Sequence, residues 1–374
     1  MATVQFPGGA LDDVIREVVA PGAAEADAGR FPRAGIEALG RAGLLGLVSS
    51  QDVGGMGRGF RDAAATVERV AHSCGSTGLV LTMHYCAAAV VEAHGDEQSR
   101  RAIAAGRALG TLAFSEVGSR SHFWAPLSSA AANGSGVRLD ARKSWVTSAG
   151  EADLYVWSSR PVSAEGASTL WLVPRGAQGL EVTGGFDGLG LRGNASRPMA
   201  AADLHLPLSA RLGPDGGGFD VMMGVVLPWF QVLNAAASVG LMEAATERTA
   251  AYAGSTRLEH LGQTLADQPI TRAHVARMRV TTDQAQCLLA DTVTALEQGR
   301  ADAQLRVLEV KAAAAEAALA VTDLAMRVCG GSAYRREVGV ERQFRDARAS
   351  TVMAPTTDIL HDFIGRAVCG LPLF

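Results

Sequence analysis

Lysine is nearly absent from this chain. Among 34 basic residues only Lys143 and Lys311 are lysines, and the remainder are arginine. With abundant alanine, that bias points to a GC-rich bacterial source and says nothing about chemistry. Cysteine is scarce too. Cys74, Cys86, Cys287, Cys329 and Cys369 are odd in number, form no CxxC pair and lie mostly in apolar stretches, the pattern of buried free thiols in a reducing compartment. The eight histidines show no HxxH or HxxxH spacing, which argues against a metal site. No apolar run reaches the ~18 residues that span a membrane, and no charged-then-apolar leader opens the chain. A formal charge of -4 gives no reason to expect nucleic acid or an anionic membrane as partner. A cytoplasmic protein is the expectation.

What is present is enough for a large core. A length of 374 residues with 48% hydrophobic and 19% charged residues fits two or three globular domains. Leu11, Val14, Ile15, Val18 and Val19 repeat as one stripe of an amphipathic helix. Phe31-Pro32 opens a short helix expected to run through Ile36, Leu39 and Leu44. The Gly54–Gly59 run reads as a turn; no strand precedes it and no Lys-Ser/Thr follows, so it is no phosphate loop. Residues 76–93 are apolar nearly all round, as in a helix buried at a domain centre. His84 inside it reads first as a hydrogen-bonded core histidine and second as a pocket residue.

The period changes at Gly110. Short β-type runs follow at 112–114, 137–139, 144–146, 154–157, 169–173, 180–182 and 204–206, separated by Gly, Ser, Asn and Pro clusters. Gly213-Pro214-Asp215-Gly216-Gly217-Gly218 is the clearest linker, and helical segments at 219–252, 270–298 and 301–329 come after it. The order predicts an α+β multidomain protein: a helical domain (1–110), a β-barrel or sandwich (111–215) and a second helical domain (216–374).

Three stretches stand out. Phe114-Ser115-Glu116 leads through Val117-Gly118-Ser119-Arg120 to Ser121-His122, and Lys143-Ser144-Trp145-Val146-Thr147 forms a strand. Read alone, they are a strand-end loop and an alternating strand from which no cofactor follows. Phe344-Arg345-Asp346-Ala347 leads to Met353-Ala354-Pro355-Thr356-Thr357-Asp358. There Pro355 suits the first position of a new helix, and Asp358 falls at that helix's positive end.

Taken together with Gly330-Gly331 and Val340-Glu341-Arg342, these stretches resemble the acyl-CoA dehydrogenase family over nearly the whole chain. The resemblance implies a C-terminal four-helix bundle, a flavin-binding middle domain and FAD. It places Phe114, Ser115, Ser121, Trp145 and Thr147 against the flavin, with Trp145 covering the ring and Thr147 near its reactive nitrogen. Arg257, Arg327, Gly330, Gly331 and Thr356 fall at positions toward the rest of FAD. Some of these contacts cross a subunit boundary in the family, so a homo-oligomer, dimer or tetramer, is expected. Leu189-Gly190-Leu191-Arg192-Gly193 resembles a family turn, its glycines read as suppliers of positive φ.

The family's catalytic glutamate falls on Ala354, and the alternative position used by some members falls on Phe230; neither can take a proton. His84, His122, Phe230, Met353 and Ala354 are the expected pocket residues. Asp358 and His122, then Glu243 and His84, are the candidates for a displaced base. The leading expectation is α,β-oxidation of an acyl thioester, on coenzyme A or a carrier protein, with electrons passing to a flavoprotein or to oxygen. A flavin monooxygenase or flavin-assisted elimination, which needs no such base, and a flavin binder without turnover are the rivals.

Overall fold

The computed structural model describes residues 8–119 and 122–373. Helices α1 (Gly8–Val14), α2 (Ala20–Asp27) and α3 (Arg33–Arg41) border the longer α4 (Phe60–Ser73) and α5 (Gly75–His94), and α6 (Glu97–Ala104) leads to the first strand. A π-helical turn, Ile15–Val19, joins α1 to α2 and keeps Leu11 and Val19 on the buried side. The helix expected to reach Leu44 stops at Arg41. Gly43, at φ 77°, turns the chain, and Leu44 begins a separate turn. α5 is buried along most of its length, as its all-round apolar pattern requires.

The β module holds two four-stranded sheets. One contains β1 (Gly110–Ala113), β4 (Leu154–Ser159), β5 (Thr169–Pro174) and β8 (Arg211–Leu212), in the order β1-β4-β5-β8; only its β1–β4 pair is parallel. The other is antiparallel, β2-β3-β7-β6, built from β2 (Ser129–Asn133), β3 (Gly136–Val146), β7 (Arg197–Pro207) and β6 (Leu180–Val182). Trp157 and Trp171, opposite each other on β4 and β5, are fully buried. Runs 137–139 and 144–146, expected as separate strands, are the two ends of β3, whose pairing with β7 shifts register between Lys143 and Val146. β2 was not anticipated. Its Ser-Ala-Ala-Ala-Asn sequence has little strand preference, and pairing with β3 decides its conformation.

The glycine-rich linker is stapled down. The Asp215 carboxylate accepts from the amides of Val162, Ser163 and Ala164, each at 3.0 Å, and from the Thr169 hydroxyl at 2.6 Å. Beyond it come α7 (Gly218–Val221), α8 (Leu227–Ser255), the hairpin β9 (Arg257–Leu258) and β10 (Gln263–Thr264), then α9 (Pro269–Glu297), α10 (Ala303–Cys329), α11 (Val340–Val352) and α12 (Thr357–Val368). α8, α9, α10 and α11 pack as a bundle, and α4 reaches across to lie on α8. The segment Gly218–Ser255 is long and apolar enough to cross a membrane, but its most apolar 18-residue stretch is 72% buried inside the fold. It is the bundle's core helix. Cys74, Cys86 and Cys329 are buried as expected, whereas Cys287 and Cys369 are exposed.

One knot ties the three parts together. Arg345 on α11 grips Asp27 of α2 with two hydrogen bonds, 2.7 and 2.8 Å, and Asp346 accepts from the Leu191 amide at 2.6 Å. Burial raises the Asp346 carboxyl to about 6 against the pull of that amide. The 189–193 turn differs from expectation: positive φ falls on Leu191 (51°) and Ala195 (51°), not on its glycines. Gly190 is needed for close approach instead, since a Cβ there would sit 2.3 Å from the Arg345 carbonyl oxygen.

Candidate active site

The edge of the β module is built around a buried ion pair. Lys143 Nζ donates to Glu116 Oε1 at 2.5 Å, to the Ser158 carbonyl at 2.7 Å and to the Ser158 hydroxyl at 2.9 Å. Glu116 also accepts from the amides of Leu127 (2.7 Å) and Ser128 (2.9 Å). Burial works against both charges. It pulls Lys143 down to about 8 in spite of Glu116, while on Glu116 it is outweighed by Lys143 and the hydrogen bonds, which leave the carboxyl below its usual range. The pair is ionised at neutral pH and fixes β3 against the loop after β1, a connection that the Ser144 amide extends by donating to the Ser115 carbonyl at 2.8 Å.

Next to this anchor the backbone is forced into conformations that side chains rarely adopt. Trp145 has φ 56° and Ser148 has φ 59°, bracketing Thr147. The strain turns Trp145 outward, 69% exposed, its ring edge-on to Phe186 at 6.4 Å. Thr147 is buried, its hydroxyl 3.1 Å from that of Ser196, and the neighbouring Ser148 hydroxyl is buried without a partner. A strained, outward aromatic beside an orphaned hydroxyl fits a planar, hydrogen-bonding ring such as a flavin.

The second half of the site is the turn between α11 and α12. Lys311, on α10 and fully buried, donates to the carbonyls of Met353 at 2.9 Å and Pro355 at 2.6 Å, and its ammonium stands 5.9 Å from the centre of the Phe230 ring. Asn234, one helical turn beyond Phe230, donates to the Met353 sulfur at 3.3 Å and accepts from Ser350. Pro355 is not the first residue of α12: the Ala354–Pro355 peptide is cis, the helix starts at Thr357 with Thr356 as its cap residue, and Pro355 belongs to the turn that Lys311 holds. Asp358 does lie in the first turn of α12, and it is exposed.

Phe114, Phe230, Met353 and Ala354 meet in one apolar cluster that also contains Phe123, Trp124 and Phe363. Aromatic contacts run from Phe114 to Phe123 (6.3 Å), on to Trp124 (5.2 Å) and to Phe363 of α12 (6.0 Å). The two halves therefore share a wall. His122 is exposed at its edge, its ring 5.1 Å from that of Trp124.

Other expected residues lie elsewhere. His84 is no pocket residue: it is fully buried, its Nε2 donates to the Leu45 carbonyl at 2.8 Å and its Nδ1 accepts from the Gly110 amide at 3.0 Å. Burial lowers it to about 4, so it is neutral there. Glu243 stands against Glu68 of α4, whose carboxyl is pushed up to about 7 by burial and by that charge. Arg257, Arg327, Gly330 and Gly331 are exposed on the helical domain, and Arg257 has Glu259 at 3.9 Å as an ion-pair partner. A Cβ on Gly330 or Gly331 would meet nothing within 4 Å. Ser121 lies outside the described residues. Two groups escaped sequence reasoning. Lys311 sits in an alanine-rich helix that offers no sign of what its ammonium touches. Gln231, beside Phe230, is fully buried with both amide atoms unpartnered.

The chain thus sets a β module between two helical domains, with Trp145 turned outward on one edge and an apolar cluster at the seam with the helical bundle. The N-terminal, middle and C-terminal domains of acyl-CoA dehydrogenases match residues 9–110, 111–204 and 216–369, and the chain belongs to that family of FAD-dependent oxidoreductases. It is 27% identical over 369 residues to a probable acyl-CoA dehydrogenase of Bacillus subtilis, covering 95% of each chain. It is 30% identical over 338 residues to an L-prolyl-[peptidyl-carrier protein] dehydrogenase of Pseudomonas fluorescens, covering 87% of this chain and 88% of the relative. Butyryl-CoA dehydrogenase from Megasphaera elsdenii shares the fold, with a TM-score of 0.91, 21% identity and 99% of each chain covered.

Proposed function

We propose that this chain oxidises an acyl thioester, on coenzyme A or a carrier protein, with FAD held against the Trp145–Ser148 edge. Trp145 carries the reading: an exposed tryptophan on a left-handed backbone is costly unless a planar ligand covers it. FAD supplies the acceptor for the hydride leaving the β-carbon. Ser115, Ser121, Thr147 and the orphaned Ser148 hydroxyl are the donors toward the ring. Phe114, Phe230, Met353 and Ala354 wall the acyl site and exclude water, and Lys311 fixes the turn that carries two of them. Arg257, Arg327, Gly330, Gly331 and Thr356 complete the cofactor site, the exposed ones in a second copy of the chain, which makes the active form a homo-oligomer.

Neither Ala354 nor Phe230 can accept the α-proton, so it goes to a group at the mouth, His122 or Asp358. Both are exposed, and the Trp124–Phe363 contact joins their segments. Relatives named as dehydrogenases favour oxidation over oxygenation, elimination or silent binding. Electrons then pass to a flavoprotein or to oxygen.

The test is anaerobic mixing of FAD-loaded protein with a panel of acyl thioesters while flavin absorbance is followed. Bleaching without added reductant is expected. An oxygen adduct formed only after chemical reduction and aeration would replace this reading with a monooxygenase. With uncharged acyl thioesters, Ala354→Glu is expected to speed bleaching by ~10²–10⁴-fold, the usual worth of a positioned base; His122→Ala and Asp358→Asn separate the two proton acceptors.

A further inference from the structure

Resting on that thioester reading, we propose that the acyl group accepted by this pocket carries its own carboxylate, which sits beside Ala354 and answers the charge of Lys311.

The argument begins with an imbalance. Lys311 is fully buried, yet the groups that hold its ammonium are neutral: two carbonyls and the face of Phe230. Among the described residues no carboxylate lies within ion-pair distance of it. The acidic groups on the elements around it are engaged or turned to solvent. Glu309 pairs with Arg306, and Glu316 is within 3.5 Å of His361 on α12. Asp358 and Asp362 of α12 are exposed. Glu243 of α8 faces Glu68, and Asp346 of α11 is held by the Leu191 amide. Desolvation acts alone on the ammonium and brings it down to about 7. Buried charges are ordinarily paired, as Lys143 is with Glu116.

The unanswered charge has a direction. The carbonyls that Lys311 holds belong to the residues on either side of Ala354, and Phe230 covers it from α8. Ala354 itself is half-buried in the apolar cluster. In that low-polarity wall a positive charge acts more strongly than in water, and Ala354 itself brings no acidic group to answer it. Met353 and Phe230 offer no competing anion. A neutral acyl chain gains nothing from this field. A short acyl chain ending in a carboxylate does, and its carboxylate completes the pair from the substrate side. Lys311 is thus a positioning residue twice over, for the turn and for the charge of the acyl group.

Succinyl-CoA and butyryl-CoA make a matched pair, differing by a carboxylate in place of a methyl group. Calorimetric titration of the FAD-loaded protein is expected to show succinyl-CoA binding at least tenfold more tightly. Lys311→Met should erase that preference, weakening succinyl-CoA at least tenfold more than butyryl-CoA, whereas damage to the turn alone would weaken both equally and leave the preference intact. Ala354→Glu should also abolish it, since the new carboxylate repels that of the ligand. Succinyl-CoA binding at pH 8 should take up a proton, read from titrations in two buffers of different ionisation enthalpy. Equal or tighter butyryl-CoA binding by the unsubstituted protein overturns the proposal, as does a preference that survives Lys311→Met. Where Lys311→Met does not fold, a preference surviving Ala354→Glu, or binding without proton uptake, overturns it. Flavin bleached by uncharged thioesters in preference to succinyl-CoA sinks this inference and leaves the thioester reading standing. Failure of both thioesters to bind sinks both.

Discussion

Lys143 and Lys311 are the two lysines of the chain, both are buried, and their surroundings answer them differently. In the β module, Lys143 has a carboxylate at 2.5 Å, and that carboxylate is itself satisfied by two amides and a hydroxyl. The charges cancel within the protein, so the pair serves as scaffold. In the helical bundle, Lys311 has two carbonyls and an aromatic face. That arrangement holds a turn without cancelling a charge, and the charge remains available to whatever enters the pocket. Burial alone therefore does not tell a structural lysine from one that shapes a site; the partner does.

The comparison breaks most visibly at Glu116. Glu116→Gln strands Lys143 and is expected to cost roughly 3–5 kcal/mol in chemical denaturation, with much of the loss recovered in a Glu116→Gln/Lys143→Met double variant. A loss below about 1 kcal/mol would mean that the Ser158 groups satisfy Lys143 without a counter-charge. At Lys311 the contrast lies in pH. Its folded pKa is lowered to about 7 from 10.5, so the penalty of the buried charge is complete below pH 7 and is relieved as pH rises from there toward 10.5. The stability of Lys311→Met relative to the unsubstituted protein is expected to fall by roughly 2–3 kcal/mol between pH 6 and pH 9, read from denaturation at both values. A flat difference would show that Lys311 has found an anion.

Two smaller effects sharpen the picture. Asp346→Ala leaves the Leu191 amide without its acceptor and is expected to destabilise by about 2 kcal/mol, measured by denaturant midpoint. Trp145→Ala is expected to leave the denaturation midpoint of the flavin-free protein almost unchanged, because the ring is largely exposed, and to weaken FAD binding by about 1 kcal/mol in fluorescence titration. Unaltered FAD affinity would remove Trp145 from the cofactor site.

The helices and most strands were legible because periodicity reports which face is buried, and α5 and the alternating β3 are direct cases. β2 was not legible, since its partner across the hairpin rather than its own residues makes it a strand. His84 could be narrowed to two roles by pattern; only its contacts with Leu45 and Gly110 chose between them. The glycines of the 189–193 turn were assigned the wrong reason, because Gly190 packs against Arg345 and Gly193 against Ala26 and Arg30, segments more than 150 residues away in either direction that no local pattern records.

By itself, the sequence determined a helical–β–helical order. That is a statement about residue type and spacing, and periodic burial is enough to fix it. Tertiary structure alone decided that Trp145 is turned outward, that Lys143 is neutralised and that Lys311 is not. Each depends on which groups from distant segments come within hydrogen-bonding range, and the energy of a buried charge is set by those neighbours rather than by its place in the chain.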